Sequence, residues 1–148
     1  MKKLFLLIII SLITGCSGII LEPADFSWPI ESVMETNDKG FIQDSRYSFS
    51  VNVKPLFFAE RNDSSSFKKE SVRVIRGTKG YYYMIASGFK NVYLFNVDNG
   101  QMLVKDVIFV SEFGVDLPAF NQRNPYVELL EGESTLLFLN SDGIKGKE

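Results

Sequence analysis

The 148-residue chain has no histidine and a single cysteine. Without histidine it lacks the commonest general base, the commonest zinc ligand and the usual charge switch near neutral pH. One cysteine excludes an intrachain disulfide and any cysteine-based metal cluster. No run of basic residues exceeds a pair such as Lys68-Lys69. A nucleic-acid footprint needs clustered Lys and Arg on one face, and a polybasic membrane anchor takes ~4–8 of them. Gly77 and Gly80 flank Thr78-Lys79 without the Gly-Lys-Ser/Thr ending of a phosphate loop. A Gly-x-Ser-x-Gly nucleophile elbow is also missing. What remains is globular composition: 45% apolar, 14% aromatic and 23% charged.

The N-terminus carries the most specific pattern. Lys2 and Lys3 precede Leu4 to Ile13, an apolar run interrupted only by Ser11. Such a run has the ~7–15 residue length of a secretory h-region, and it falls short of the ~20 residues of a spanning helix. It leads into Ile13-Thr14-Gly15-Cys16. These four residues resemble the lipobox of bacterial lipoproteins. The resemblance implies cleavage after Gly15 and lipidation of Cys16 on its thiol, often with acylation of the new amino group as well. One acyl chain binds membranes only marginally, at about 0.8 kcal/mol per buried CH₂, and two or three hold stably. Ser17 follows the cysteine where lipoproteins retained in the inner membrane often carry aspartate. The resemblance therefore implies an outer-membrane address, facing the periplasm, if the host has two membranes.

Loss of Lys2 and Lys3 with the signal lowers the 16 basic residues to 14 against 18 acidic ones, a net charge of about −4. The organisation expected is a signal peptide over 1–15, a lipidated cysteine and tether over 16–25, one β domain over 26–139 and a polar tail over 140–148. A body of this size buries roughly two-thirds of its unfolded surface.

Within that body, Tyr47, Phe49, Val51 and Val53 alternate with Ser48, Ser50 and Asn52, the period-two pattern of a half-buried strand. Ile30 to Thr36 is its expected hairpin partner. Pro55 limits Lys54 to Phe58 to an edge or strand end, and Glu60 to Ser71 reads as a loop. Val72 to Arg76, Tyr81 to Ala86, Asn91 to Val97, Met102 to Val110, Tyr126 to Leu130 and Ser134 to Leu139 read as further strands. They are separated by Gly77-Thr78-Lys79-Gly80, Ser87-Gly88, Asp98-Asn99-Gly100-Gln101 and Glu131-Gly132-Glu133. Turn signals at intervals of about 8–12 residues predict an all-β fold: a single small antiparallel sandwich or barrel built from hairpins. Asn91 to Leu103 resembles the middle hairpin of a propeller blade, but no second copy recurs at the ~40–50 residue period a propeller needs.

Candidate sites are few. Asp98-Asn99-Gly100 could open a calcium loop, yet its twelfth position is Phe109, where the loop needs glutamate. Glu131 and Glu133 could converge as paired carboxylates or diverge as solvated turn residues. Ser64 to Ser66 have no histidine to activate them. No metal site, cofactor or catalytic residue is assigned. Tyr81 and Tyr83 share one face of a strand and Tyr82 takes the other. If one face is core, the other offers tyrosine to a partner. The segment Glu112 to Pro125 lacks alternation; in it, Phe120 is either a core plug or a partner contact, and Arg123 is a candidate recognition residue on a proline-bracketed loop.

These features imply a non-enzymatic, membrane-anchored lipoprotein whose β domain binds another cell-envelope protein, through Phe120, Arg123, Tyr81 and Tyr83, in an accessory or assembly role. The alternative is a lipid-anchored small-ligand or glycan-binding module using a concave face lined by Tyr81, Tyr83 and Tyr93. A lipid-anchored hydrolase would need chemistry that the sequence does not flag. The partners implied are a membrane, through the lipid on Cys16, and a protein, with no nucleic acid.

Overall fold

The computed structural model describes residues 30–44 and 49–146. The signal segment 1–15, Cys16, the tether to residue 25 and residues 46–48 of the alternating segment lie outside the described residues.

The turn signals between Val72 and Val110 fold as an antiparallel meander: β4 (Ser71–Arg76), β5 (Tyr82–Ala86), β6 (Asn91–Asp98) and β7 (Gln101–Phe109). At the β6–β7 turn Asn99 (φ 48°) and Gly100 (φ 75°) both take positive φ, as a two-residue hairpin loop requires. β1 (Ser32–Glu35) pairs with β4 and completes a five-stranded sheet ordered β1-β4-β5-β6-β7. A second sheet, ordered β11-β10-β9-β8, comprises β8 (Pro118–Arg123), β9 (Tyr126–Glu131), β10 (Ser134–Asn140) and β11 (Gly143–Gly146). β2 (Phe41–Asp44) and β3 (Phe49–Asn52) form a separate ribbon, followed by α1 (Lys54–Arg61).

Side-chain contacts fix the layers. Tyr82, Tyr93 and Phe95 face one side of the five-stranded sheet, toward the ribbon and helix: Phe49 meets Tyr82 edge-on at 5.9 Å, and Phe57 of α1 reaches Tyr93 through Phe89 (4.9 and 6.1 Å). Tyr83, Ile75, Ile85 and Leu94 face the other side, toward the second sheet, where Tyr83 meets Phe120 edge-on at 6.5 Å. With both faces covered, the middle strands are buried in near-continuous apolar runs: Val74, Ile75, Met84, Ile85, Val92 and Leu94 are all fully buried. Glu31 clips the layers together, accepting the Phe120 N–H (2.7 Å) on one oxygen and Arg73 (2.7 Å) on the other. Desolvation pushes the Glu31 carboxyl above its ordinary value, against the opposing pull of the Phe120 N–H and Arg73. The fold is all-β and sandwich-like, and the sheets of the described residues do not close as a barrel.

Four local readings differ from the sequence expectations. The 49–52 strand pairs with Phe41–Asp44, and Ser32–Glu35 goes to β4. Lys54–Arg61 is a helix, because proline in the first turn loses no hydrogen bond that a helix would supply; it buries Leu56 and Phe57, each worth roughly 1.5–3 kcal/mol, and ends at Asn62 in the left-handed region (φ 53°). Pro118–Arg123 is an edge strand, with proline at its first residue where the missing donor is tolerated. Gly143–Gly146 extends the second sheet as β11, inside the expected polar tail.

The exposed edge of the meander, β7, is blunted by local devices. A register shift leaves Lys105 unpaired between Val104 and Asp106, and the Asp106 carboxylate accepts the neighbouring Val107 N–H (2.8 Å). A bulge and charged residues on an edge discourage pairing with another chain.

Candidate functional site

The outer face of the four-stranded sheet gathers an organised set of charges. Across β8 and β9, Asn121 lies opposite Glu128 and Arg123 opposite Tyr126; on β10, Phe138 lies opposite Glu128. Period two puts these side chains outward and sends Phe120, Val127, Leu129 and Leu139 into the core.

Glu128 is an ionisable residue in a mostly apolar strand, and its side chain is only 6% exposed. Its Oε1 accepts the Thr135 hydroxyl (2.5 Å). Its Oε2 accepts Asn121 Nδ2 (3.1 Å) and Arg123 Nε (3.0 Å). Burial alone would raise the carboxyl, but the bonds from Thr135, Arg123 and Asn121, with the guanidinium charge, outweigh it and hold Glu128 below its ordinary value. Both oxygens are thus committed to neighbours, which suits an orienting anion and not a proton acceptor. The group it orients is Arg123. That side chain is 64% exposed, and among the described residues only its Nε is hydrogen-bonded, so the terminal nitrogens of the fork face the cleft for a ligand.

Around this pair opens a cleft of about 720 Å³, lined by Arg123, Asn124, Tyr126, Glu128, Thr135 and Phe138, with Lys145 and Gly146 from β11. Tyr126 and Phe138 meet edge-on at 6.3 Å and form its aromatic floor. A second, smaller cleft of about 270 Å³ adjoins it, sharing Tyr126 and Lys145 and reaching Lys79, Tyr81, Tyr83 and Ser141. Here Lys79 donates to Ser141 Oγ (3.3 Å). Lys105 donates to the Ser141 carbonyl (2.7 Å) and lies 4.2 Å over the Tyr81 ring. Burial, with Asp142 and Tyr81 nearby, pushes the Tyr83 hydroxyl up to about 12. Arg123, Lys79 and Lys145 line the two clefts against Glu128, a local cationic excess on a chain of net charge −2, and Lys105 stands at the rim through its bond to Ser141.

Three of the four binding residues expected from sequence belong to this region, in different roles. Arg123 stands in the open cleft, on a strand end instead of a loop. Tyr81 and Tyr83 line the smaller cleft, but Tyr83 is 3% exposed and serves as its wall. Phe120 is the core plug, buried against Tyr83, so it supports the site from beneath. The three-tyrosine face does not form: Tyr93 points to the opposite side of the sheet, where Glu60 accepts its hydroxyl (2.8 Å). Sequence reasoning missed Tyr126, Glu128, Thr135, Phe138 and Lys145. The one signal available was an acidic residue breaking the apolar run Tyr126 to Leu130, five positions from Arg123 across a proline turn. Compared with known protein families, curated proteins and solved structures, the chain matches none.

Proposed function

We propose that this protein is a lipoprotein of the bacterial cell envelope, anchored through lipid on Cys16, whose β domain is a non-catalytic module binding another envelope protein. The anchor rests on the resemblance of Ile13-Thr14-Gly15-Cys16 to a lipobox; with Ser17 after the cysteine, the address is the outer membrane in a host with two membranes. The observation that carries the binding reading is Arg123: its fork is aimed by a buried carboxylate and stands open in a cleft with an aromatic floor. Arginine and tyrosine are among the residue types enriched at the hot spots of protein interfaces. The non-catalytic reading rests on a body without histidine or cysteine and on a Glu128 carboxylate whose oxygens are already committed.

A second reading draws support from the same cleft. Its volume of about 720 Å³ lies in the range of small-ligand pockets, ~300–1,000 Å³, which favours a small-ligand or glycan-binding module.

Two experiments test the proposal. Cys16→Ser blocks lipidation, so the protein should lose lipid labelling and either remain an unprocessed precursor or leave the membrane fraction; continued labelling refutes the anchor. Crosslinking of the lipidated protein in its own membranes should recover one specific envelope protein, lost in Arg123→Ala. Recovery of no protein at all moves the function to the small-ligand reading.

A further inference from the structure

We infer that the main cleft recognises an extended acidic segment of a partner protein, with two carboxylates four residues apart and an apolar side chain midway between them. This inference rests on the binding-module reading and gives its partner a chemistry.

The spacing follows from the sheet. Arg123 stands on β8 and Lys145 on β11, the two outermost strands of the order β11-β10-β9-β8. Three inter-strand spacings of ~4.8 Å separate them, about 14 Å. In an extended chain, residues i and i+4 point to the same side and lie about 13 Å apart. A segment crossing the strands can therefore place one carboxylate on the Arg123 fork and the other on Lys145. Residue i+2 then lies midway, over Tyr126 and Phe138 of β9 and β10, whose rings form the floor there. The pattern recognised is acidic-x-apolar-x-acidic.

The unspent polar groups favour a peptide over an acidic glycan. Sugar hydroxyls are held by neutral amides, hydroxyls and carboxylates that both donate and accept, yet Asn121, Thr135 and both oxygens of Glu128 are already bonded to one another. Asn124 and the Tyr126 hydroxyl are the neutral polar groups that remain in the lining, whereas the Arg123 fork and Lys145 stand at its two ends with apolar ring surface between them and select charge and hydrophobic contact.

The test uses the full-length lipidated protein in detergent, titrated with the fluorescein-labelled peptide Gly-Glu-Ser-Leu-Ser-Glu-Gly. Saturable binding is expected, weakening as salt rises. Arg123→Ala should weaken it about tenfold, since a bidentate charge-assisted contact is lost. Lys145→Ala should weaken it about threefold. A peptide with glutamine for both glutamates should not bind, and one with the glutamates adjacent should bind several-fold less well. Both variants alter exposed side chains, and an unchanged circular dichroism spectrum verifies that they fold. No binding, binding indifferent to Arg123, equal affinity for both glutamate spacings, or Arg123-dependent binding of polygalacturonate alone would each overturn the inference, the last in favour of an acidic glycan. If the peptide fails while an envelope protein still crosslinks to the intact lipoprotein in its membranes, the binding-module reading stands and only the inference falls.

Discussion

The Nε of Arg123 donates to Glu128 across 3.0 Å, a bond that joins a largely exposed cation to a buried anion. The asymmetry makes Glu128 the fixed member of the pair and Arg123 the member free to meet a ligand. Removing either half has different consequences.

Glu128→Gln keeps the shape and deletes the charge. It leaves Asn121, Thr135 and Arg123 with a poorer acceptor, and at pH 7 should cost roughly 1–3 kcal/mol of stability. Because the folded carboxyl sits below its ordinary value of 4.5, its contribution is complete above pH 4.5 and fades as pH falls through the folded value. Urea denaturation at pH 7 and pH 3 should therefore show a wild-type advantage at neutrality that shrinks in acid. A gap unchanged with pH would mean that the charge is not what Glu128 supplies.

Glu31 should behave in the opposite sense. Desolvation raises its carboxyl above 4.5, so its contribution is fully present below pH 4.5 and declines as pH rises through the folded value. The stability gap between wild type and Glu31→Gln should be narrower at pH 7 than at pH 4. The same urea series measures it, and a gap that widens with pH would place the dominant influence on Arg73 instead of on burial.

Phe120→Ala should unfold the sandwich before it says anything about binding. The ring is buried against Tyr83 between the two sheets, and truncating a core phenylalanine costs about 3–5 kcal/mol. Arg123→Ala, in contrast, leaves Glu128 two of its three bonds and should cost about 1 kcal/mol. Thermal melts of the two variants separate the support of the site from its contact surface.

Gly114→Ala should destabilise through the backbone alone. Gly114 has φ +87°, and an added Cβ would lie 2.5 Å from the Gly88 carbonyl oxygen and 2.8 Å from its carbon. That approach belongs to a connection in which Gly88 N–H donates to Val115 O and Val115 N–H to Phe89 O (2.8 and 2.9 Å). The left-handed region costs about 1–2 kcal/mol for an L side chain, and displacing these bonds adds to it. A melting temperature within a degree of wild type would show that the loop relaxes freely.

The meander was legible because its information is local. Asn99-Gly100 states a turn that only positive φ satisfies, and the apolar runs of β4 to β6 match strands covered on both sides. α1 was hidden by Pro55, which reads equally as the end of a strand and the first turn of a helix, and eight residues are too few for a 3.6 period to declare itself. β8 was hidden because its alternation runs through amides and an arginine, between Pro118 and Pro125. β11 was hidden by glycines. Of the site, Arg123 and the tyrosines could be picked out by residue type. The clamp on Glu128 could not: Asn121, Arg123, Glu128 and Thr135 meet only through the cross-strand register of β8, β9 and β10, which tertiary packing sets.

The most direct test of the binding account is site-specific photocrosslinking in the organism's own membranes, with p-benzoylphenylalanine replacing Tyr126 in the cleft or, separately, Val104, which is 53% exposed on β7. One discrete protein adduct from position 126, with none from position 104, is the expected result. An adduct from position 104 and none from 126 would place the interface on the meander edge and contradict the assignment of the Arg123 cleft.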